Sequence, residues 1–228
     1  RRMAAETSFD DTLSPAERRR RKVRDAIVEA AEAIFAEEGE AGISMRRIAE
    51  RIDYSPAALY KYFDSKEALF REIREGFFER LLTRMRAVCE EIEDGPMLCT
   101  ACLRAYVHTG LEEPSHYQLA FSGGFTDPEP EEGSYAFAAA EHLREMIGQS
   151  MEGGWFRRAP LDLAASSVWS GSHGLTMLAI SIPGFPMNHA DCETLSLDEV
   201  IDFHGEHVLR GFATPKLLDW LESRAQKT

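Results

Sequence analysis

The sequence predicts an all-α protein of about nine or ten helices. Apolar residues recur with the period of a helix along most of the chain, and no stretch alternates apolar and polar residues as a half-buried strand would. Glycine and proline separate the periodic segments. Of the 228 residues, 44% are hydrophobic and 29% are charged, a composition typical of a globular chain that buries one large core or two modest ones.

The first predicted helix opens at Pro15 and continues through the basic run from Arg18 to Lys22. Its apolar residues have the spacing of one buried face. Gly39 ends this helix. The buried face is predicted to consist of Ile27, Ala30, Ala31, Ile34 and Phe35.

Two short helices follow, separated by a tight turn. Ser44 is placed to cap the second helix, which turns Met45, Ile48, Ala49 and Ile52 inward. Asp53 and Tyr54 form the turn. Ser55 and Pro56 have the residue types preferred at the N-cap and first position of a helix, so a third helix is predicted from Pro56 to Tyr62, ending before Asp64.

A long fourth helix is predicted from Ser65 and Lys66 to about Ile92, a length that suits a connector between two domains. The remaining chain continues as helices, with a Gly-, Pro- and acid-rich loop from Ser122 to Ser134. The later helices are predicted at 97–111, 115–121, 134–148, 161–182, 197–212 and 216–225.

The charge is unevenly distributed. The formal net charge is -13, which is unfavourable for binding phosphates. The segment from Arg18 to Arg74, however, contains 13 lysines and arginines and 11 acidic residues, so its net charge is +2. Most of the excess acid therefore lies outside this N-terminal segment.

Two short helices joined by a tight turn and braced by a longer helix are typical of a helix-turn-helix, whose second short helix enters the DNA major groove. Small residues near the start of the third helix allow a close approach to base edges, and hydroxyls, ammonium groups and helix N-termini bind phosphates. The residues predicted to contact DNA are Ser44, Arg46, Arg47, Ser55, Ala57, Ala58, Tyr60, Lys61, Tyr62 and Lys66.

The segment from Ile27 to Phe70 resembles the helix-turn-helix signature of the TetR family of bacterial transcriptional regulators. The resemblance depends on a small residue followed by Leu-Tyr-x-x-Phe and then x-Ser-Lys-Glu-x-Leu, here Ala58, Leu59, Tyr60, Phe63, Ser65, Lys66, Glu67 and Leu69. One position departs from the signature, because Asp53 stands where the turn usually has glycine. Aspartate tolerates a left-handed backbone better than most residues, so we expect the turn to form.

The resemblance implies a homodimeric repressor that binds a pseudo-palindromic double-stranded operator and is released by a small-molecule effector. It also implies three regions: a flexible N-terminal arm over residues 1–17, a helix-turn-helix domain over 18–65, and a ligand-binding and dimerisation domain over 66–228 in which 66–92 is the connecting helix. We expect the helices at 161–182 and 197–212 to form the dimer interface. No cofactor, resident metal or membrane partner is expected.

The segment from Ala164 to Ser181 resembles a TetR C-terminal subfamily marked by a tryptophan followed by a His-Gly pair, here Trp169, His173 and Gly174. Effector pockets are mostly apolar with few polar anchors, which favours an apolar or aromatic effector. The predicted effector contacts are Tyr106, Phe121, Phe125, Phe137, Trp155, Trp169, His173 and Met177. A purely structural role in the core is the alternative for each of them.

Two other classes of function have weaker support in the sequence. Cys99 and Cys102 have C-x-x-C spacing, and His189, Cys192, His204 and His207 offer four potential ligands, so a metal- or thiol-sensing regulator is the alternative. An enzyme is not expected, because the sequence has no nucleophile elbow, phosphate loop or zinc-protease motif. The chain also lacks a long apolar run, and a cytoplasmic location is predicted.

Overall fold

The computed structural model describes residues 13–92, 95–122, 131–186 and 195–225. These residues form helices without a β-strand, which confirms the predicted all-α fold. In chain order the elements are α1 (Pro15–Glu38), a 3-10 turn (Glu40–Gly42), α2 (Met45–Arg51), α3 (Pro56–Leu59), α4 (Lys66–Glu91), α5 (Gly95–Glu112), α6 (Pro114–Ala120), α7 (Tyr135–Glu152), α8 (Leu161–Ser181), α9 (Leu197–Gly211) and α10 (Pro215–Ala225). Within the described ranges no helix is both long and apolar enough to span a membrane.

The described residues divide into two compact units, and the first contains residues 13–73 and 119–122. Its longest helix, α1, starts with a capping box, in which Ser14 accepts from the N–H of Glu17 while the Glu17 carboxylate accepts from the N–H of Ser14. The predicted apolar face of α1 is buried apart from Phe35, which is half-buried. The core of this unit is formed by Ile27, Ala30, Ala31, Ile34, Ile43, Met45, Ile48, Ala49, Leu59, Phe63, Leu69, Phe70, Ile73 and Leu119.

The second unit contains the described residues 74–118, 131–186 and 195–225. In it α5 packs against α8 and α9, and α7 packs against α8. Gly110 on α5 makes a close approach possible, because a Cβ there would lie 2.5 Å from Cγ2 of Thr176 and 2.8 Å from Cδ2 of Tyr117. Any larger residue at this position would separate α5 from α8 and from the ring of Tyr117.

A second hydrophobic cluster holds the C-terminal helices together. Its buried members are Ile147, Phe156, Ala164, Leu209 and Leu217. The Phe156 ring stacks on that of Phe212, with centroids 5.4 Å apart. The Arg157 N–H also donates to the Phe212 carbonyl over 2.8 Å, so backbone and side chains both fix the end of α9 to the segment that follows α7.

Helix α7 extends beyond its predicted end. The sequence predicts termination at Gly148, whereas the helix continues to Glu152 and Gly153 follows it. Ile147 and Ser150 are both buried, so tertiary packing compensates for the low helix propensity of a glycine inside the helix. Of the predicted loop at 122–134, residues 123–130 lie outside the described part of the chain.

Candidate nucleic-acid interface and effector site

Both short helices of the first unit begin at a serine cap, as the sequence predicts. The Ser44 hydroxyl accepts from the N–H of Arg47 over 3.2 Å, and the Ser55 hydroxyl accepts from the N–H of Ala58 over 3.2 Å. Each cap satisfies a backbone donor at the start of its helix. The caps therefore fix where α2 and α3 start.

The turn between α2 and α3 has a left-handed residue at Asp53, with φ of 57°. The Tyr54 N–H then donates to the Ala49 carbonyl over 2.9 Å and closes the end of α2. The expectation that aspartate can replace glycine in this turn is thus consistent with the structure. Left-handed backbone costs a residue with a side chain more than it costs glycine, although aspartate tolerates it better than most.

Helix α3 is shorter than predicted. Regular α-helix covers Pro56–Leu59, and residues 60–62 form a tighter turn, in which the Tyr62 N–H donates to the Leu59 carbonyl over 2.8 Å. Leu59 and Phe63 point inward, with 0% and 3% of their surface exposed, as predicted. The tighter turn therefore connects two buried side chains, Leu59 and Phe63.

The predicted DNA contacts around α3 differ in accessibility. Ser55, Ala57 and Lys61 are exposed, and Tyr60 is the most prominent aromatic of the group, with 51% of its surface exposed. Ala58 and Tyr62 are half-buried. The surface that α3 offers to a partner is therefore small, consisting of one methyl group, hydroxyls and one ammonium group.

Arginines 46 and 47 on α2 are engaged by carboxylates of their own unit. Arg46 donates to Glu50 over 2.8 Å, and Arg47 binds both carboxylate oxygens of Glu38. Arg47 also donates to the Gly42 carbonyl over 3.0 Å. The Arg47 guanidinium holds the pKa of the Glu38 carboxyl below its usual range. Arg47 thus braces α2 against the end of α1.

The end of α3 is held to α1 by arginines. Arg24 donates to the Tyr62 carbonyl over 2.6 Å and pairs with Glu72 at the start of α4. The guanidinium of Arg20 lies 5.9 Å from the centroid of the Tyr62 ring. Lys66, another predicted contact, is half-buried with its ammonium nitrogen 5.4 Å from the centroid of the Phe70 ring.

A groove of about 640 Å³ runs along the first unit between α1 and the end of the α2–α3 region. We call it the basic groove, because its polar lining consists of four cations and two tyrosines. These residues are Arg19, Arg20, Lys22, Tyr54, Lys61 and Tyr62. The sequence interpretation gave the arginine run only the role of opening α1.

The second unit contains a chain of hydrogen bonds between aromatic side chains from α5, α6 and α8, which we call the aromatic network. The Trp169 indole donates to the Tyr106 hydroxyl over 3.2 Å, and the hydroxyls of Tyr106 and Tyr117 are 3.0 Å apart. The Tyr117 hydroxyl lies 2.6 Å from Nδ1 of His173. A single direction satisfies all three contacts: each hydroxyl accepts from the preceding residue and donates to the next, ending at an unprotonated Nδ1.

The protonation states follow from burial. Burial lowers the pKa of His173, which favours the neutral imidazole that this chain of donors requires. Burial also raises the pKa of Tyr106 to about 12 and raises that of Tyr117, so both phenols keep their protons. The network is therefore a neutral polar group within an apolar region. Tyr117, absent from the predicted contacts, is its central member.

The other predicted effector contacts lie elsewhere. Trp155 belongs to the second hydrophobic cluster, with the Lys216 ammonium 3.8 Å from its ring centroid. Phe137 and Met177 are half-buried on α7 and α8. Phe121 belongs to the first unit, and Phe125 lies outside the described residues. Of the eight predicted contacts, the aromatic network joins Tyr106, Trp169 and His173.

The cysteines and histidines considered as sensor residues are not arranged as a metal site in the described part of the chain. Burial raises the pKa of Cys99 to about 11 and also raises that of Cys102, which keeps both thiols protonated and unreactive. His204 packs on Gly171, where an added Cβ would lie 2.8 Å from its ring, whereas His207 is exposed. His189 and Cys192 lie outside the described residues.

An exposed apolar surface lies on α8 and α9, which pack against each other. Phe203 on α9 is 74% exposed, and on α8 Leu163 and Trp169 are 69% and 44% exposed. Gly174, also on α8, has open space where a Cβ would point. Large exposed apolar side chains are typical of protein–protein contact sites when they form a contiguous patch.

A capped helix-turn-helix with an exposed second helix, followed by a helical unit, is typical of a DNA-binding regulator. Two family models agree with this class. One, described as "Bacterial regulatory proteins, tetR family", matches residues 27–73, and the other, described as "Tetracyclin repressor-like, C-terminal domain", matches residues 99–203. The chain belongs to the TetR family, and it is a DNA-binding transcriptional regulator.

Individual relatives agree with this assignment. The HTH-type transcriptional repressor KstR of Rhodococcus jostii is 29% identical over 158 residues, which are 59% of this chain and 73% of KstR. The crystal structure of the TetR family regulator PfmR from Thermus thermophilus has a TM-score of 0.64 and 25% identity, covering 81% of this chain and 97% of PfmR. The ketosteroid transcriptional regulator KstR2 of Mycobacterium tuberculosis shares the fold, with a TM-score of 0.59 and 20% identity over 84% of this chain and 95% of KstR2.

Proposed function

We propose that this regulator is a homodimeric repressor that binds a pseudo-palindromic operator through α3 and is released when a small apolar effector binds the second unit. The observation that carries the DNA-binding part is the exposure of Ser55, Ala57, Tyr60 and Lys61 on α3 and its flanking residues. On the opposite side of this helix Leu59 is fully buried. Such a helix is rigidly supported and accessible at once, as groove recognition requires.

The proposed contacts fall into two groups. Ala57 and Ala58 are close enough to the start of α3 to meet base edges, whereas Ser44, Tyr60, Lys61, Tyr62 and Lys66 offer groups suited to phosphates. Arg46 and Arg47 already bind carboxylates, so we assign them the support of α2 and a secondary part in phosphate binding. The domain boundaries proposed for this division are 18–65 and 66–228, after an arm over 1–17.

The experiment that tests operator binding is a selection from random duplex oligonucleotides with the full chain. We expect enrichment of two inverted half-sites whose centres are about 34–36 Å apart or a multiple of that distance. Recovery of a single half-site without two-fold symmetry would contradict the dimeric arrangement. Failure to enrich any sequence would contradict operator recognition itself.

Dimerisation through α8 and α9 is supported by their exposed apolar residues, Leu163, Trp169 and Phe203. TetR regulators act as dimers, and two helices from each protomer would complete a four-helix bundle.

Trp169 and the His-Gly pair support the proposal that the C-terminal region belongs to the subfamily marked by these residues. We place the protein in the cytoplasm, with its operator DNA, and assign it no enzymatic reaction.

The effector is proposed to be an apolar molecule with a polar group that exchanges hydrogen bonds with the aromatic network. The network offers both donors and acceptors from Tyr106, Tyr117 and His173 beside apolar rings such as Phe77, whose centroid lies 5.4 Å from that of Tyr117. A ketosteroid, the class in the name of KstR2, has this combination of an apolar skeleton and a carbonyl. This supports an oxygen-bearing apolar effector.

Thermal unfolding with a ketosteroid, and with a matched steroid hydrocarbon that lacks the carbonyl, tests this class. A ligand that binds only the folded protein stabilises it by about 2.7 kcal/mol when its free concentration is about 100 times the Kd. We expect the ketosteroid to raise the Tm and the hydrocarbon to do so much less. Tyr117→Phe should abolish this difference relative to its own unliganded Tm, whereas Tyr135→Phe, at an exposed position, should preserve it.

The metal- or thiol-sensing alternative is not favoured. The relative KstR is described as a repressor, and the thiols of Cys99 and Cys102 are kept protonated by burial.

A further inference from the structure

We propose that the basic groove holds the phosphate backbone of operator DNA, so that Arg19 and Lys22 of α1 extend the interface formed by α3. The inference rests on the proposed operator binding and adds a second, sequence-independent contact to it. The groove and the α3 surface are continuous, because Lys61 and Tyr62 belong to both.

Several cations of this unit are already paired within it. Arg24, Arg46, Arg47 and Arg51 each bind a carboxylate of the same unit, at Glu72, Glu50, Glu38 and Glu37 respectively. Arg19, Lys22 and Lys61 are exposed and form no ion pair with a described carboxylate. Three cations without an ion pair to a described carboxylate are thus brought together in the basic groove.

The basic run gives little benefit to the helix that contains it. Arg19 and Lys22 are three residues apart, and like charges at this spacing destabilise a helix by about 0.2–0.5 kcal/mol. Arg19 and Lys22 form no ion pair with a described carboxylate that would account for their charge, and a polyanion would neutralise them.

The chemistry of the groove matches a phosphodiester chain. Arginine and lysine neutralise phosphates, and the tyrosine hydroxyls of Tyr54 and Tyr62 donate to phosphate oxygens. Arg19 and Lys22 are about 4.5 Å apart along the helix axis, so they can reach neighbouring phosphates of one strand. Arg20 lies over the ring of Tyr62 and holds that residue in the wall of the groove.

The helix itself provides a matched control. Arg18 and Arg21 belong to the same run but do not line the groove, and Arg21 pairs with Asp25 over 3.9 Å. The variants R19Q/K22Q and R18Q/R21Q therefore remove equal charge from the same helix. Only the first pair faces the basic groove.

The experiment measures the affinity of both variants of the full chain for the selected operator and for a random duplex over a series of salt concentrations. Each phosphate contact contributes about 0.9 to the slope of log K against log salt. R19Q/K22Q should reduce that slope by about 2 per protomer for both duplexes. R18Q/R21Q should change it by less than half as much, and neither variant should lower the Tm.

Equal slopes for the two double variants would overturn the inference, since charge alone and not the groove would then determine affinity. If R19Q/K22Q fails to fold, the single variants R19Q and R21Q make the same comparison. Absence of binding by the unaltered chain would instead overturn the proposed operator binding and the groove contact together. Normal binding by the unaltered chain with unchanged slopes in every variant would overturn the groove contact alone.

Discussion

At the scale of single residues, backbone geometry and protonation decide what the local structure tolerates. Asp53 occupies a left-handed turn with φ of 57°, where glycine would be unstrained. His173 is kept neutral by burial and accepts the hydroxyl of Tyr117. The left-handed backbone of Asp53 adds a small local cost to the free energy of folding, whereas burial decides the protonation state of His173.

We predict that Asp53→Gly raises the free energy of unfolding by about 0.5–1 kcal/mol, because it relieves the left-handed strain. Asp53→Ala should lower it by about 1 kcal/mol, since alanine lacks the side-chain hydrogen bonds that help aspartate adopt this backbone. Urea unfolding of the two variants measures both changes. A loss of stability in the glycine variant would show that the aspartate side chain has a stabilising role of its own.

We also predict that stability falls as the pH is lowered from about 7.5 to about 5. Burial lowers the pKa values of His142, His173 and His204 below the ordinary value of 6.5, so the unfolded chain takes up protons first. The stabilisation is therefore complete above pH 6.5 and is lost as the pH falls through the folded pKa values.

Denaturant unfolding across this range, with His173→Gln as the comparison, measures the contribution of the aromatic network. The variant should lose less stability than the unaltered chain between about pH 6.5 and about pH 5. An identical pH dependence in both proteins would assign the effect to other histidines. The carboxylates whose pKa values are lowered, such as Glu38, contribute below this window.

At the scale of elements, α3 is a short helix that depends on its neighbours for its conformation. An isolated helix of four residues is unstable in water, and here the Ser55 cap, the buried Leu59 and the bond from Arg24 to the Tyr62 carbonyl hold it. The support comes from α1 and α2, so the exposed face of α3 stays accessible, as the proposed DNA contact requires.

We predict that Tyr60→Ala and Lys66→Ala weaken binding to all duplexes alike by removing phosphate contacts. Ala57→Ser and Ala58→Ser should instead change the preferred operator, because these residues are proposed to meet base edges. Affinity measurements on the selected operator, on single-base variants of it and on random DNA distinguish the two groups. Equal losses of specific and non-specific affinity in all four variants would refute this division.

At the scale of the whole molecule, the proposed function requires two protomers and two units in each protomer. The two units have separate hydrophobic cores, and the aromatic network lies in the second. Coupling free energies between effector and operator sites are typically about 1–3 kcal/mol, enough to change operator affinity by about 5- to 150-fold. The exposed α8–α9 surface is the proposed site of dimerisation.

We predict that Phe203→Asp converts the dimer to a monomer, because a carboxylate would replace an apolar ring that is 74% exposed in the isolated chain. Leu218→Asp is the control, since Leu218 is exposed on α10, outside the proposed interface. Sedimentation velocity distinguishes the outcomes. A dimeric Phe203→Asp variant would place the interface on another surface.

Several features of this protein follow from the sequence by itself. The caps at Ser44 and Ser55, the buried stripe of α1 and the turn at Asp53 all depend on residues within a few positions of one another. Local hydrogen bonds and helical periodicity act over such distances, so a sequence is sufficient to identify them. The fold class and the helix-turn-helix followed from these local signals.

The tertiary structure alone decided which charges and polar groups meet. Arg47 binds Glu38 across a turn, Trp169 reaches Tyr106 from 63 positions away, and Tyr117 lies 56 positions from His173. Such pairs form only when separate helices pack, and helical periodicity does not specify which neighbour each face meets. For the same reason the sequence predicts only a helix start at the basic run of α1, whereas in the folded chain part of this run lines the basic groove.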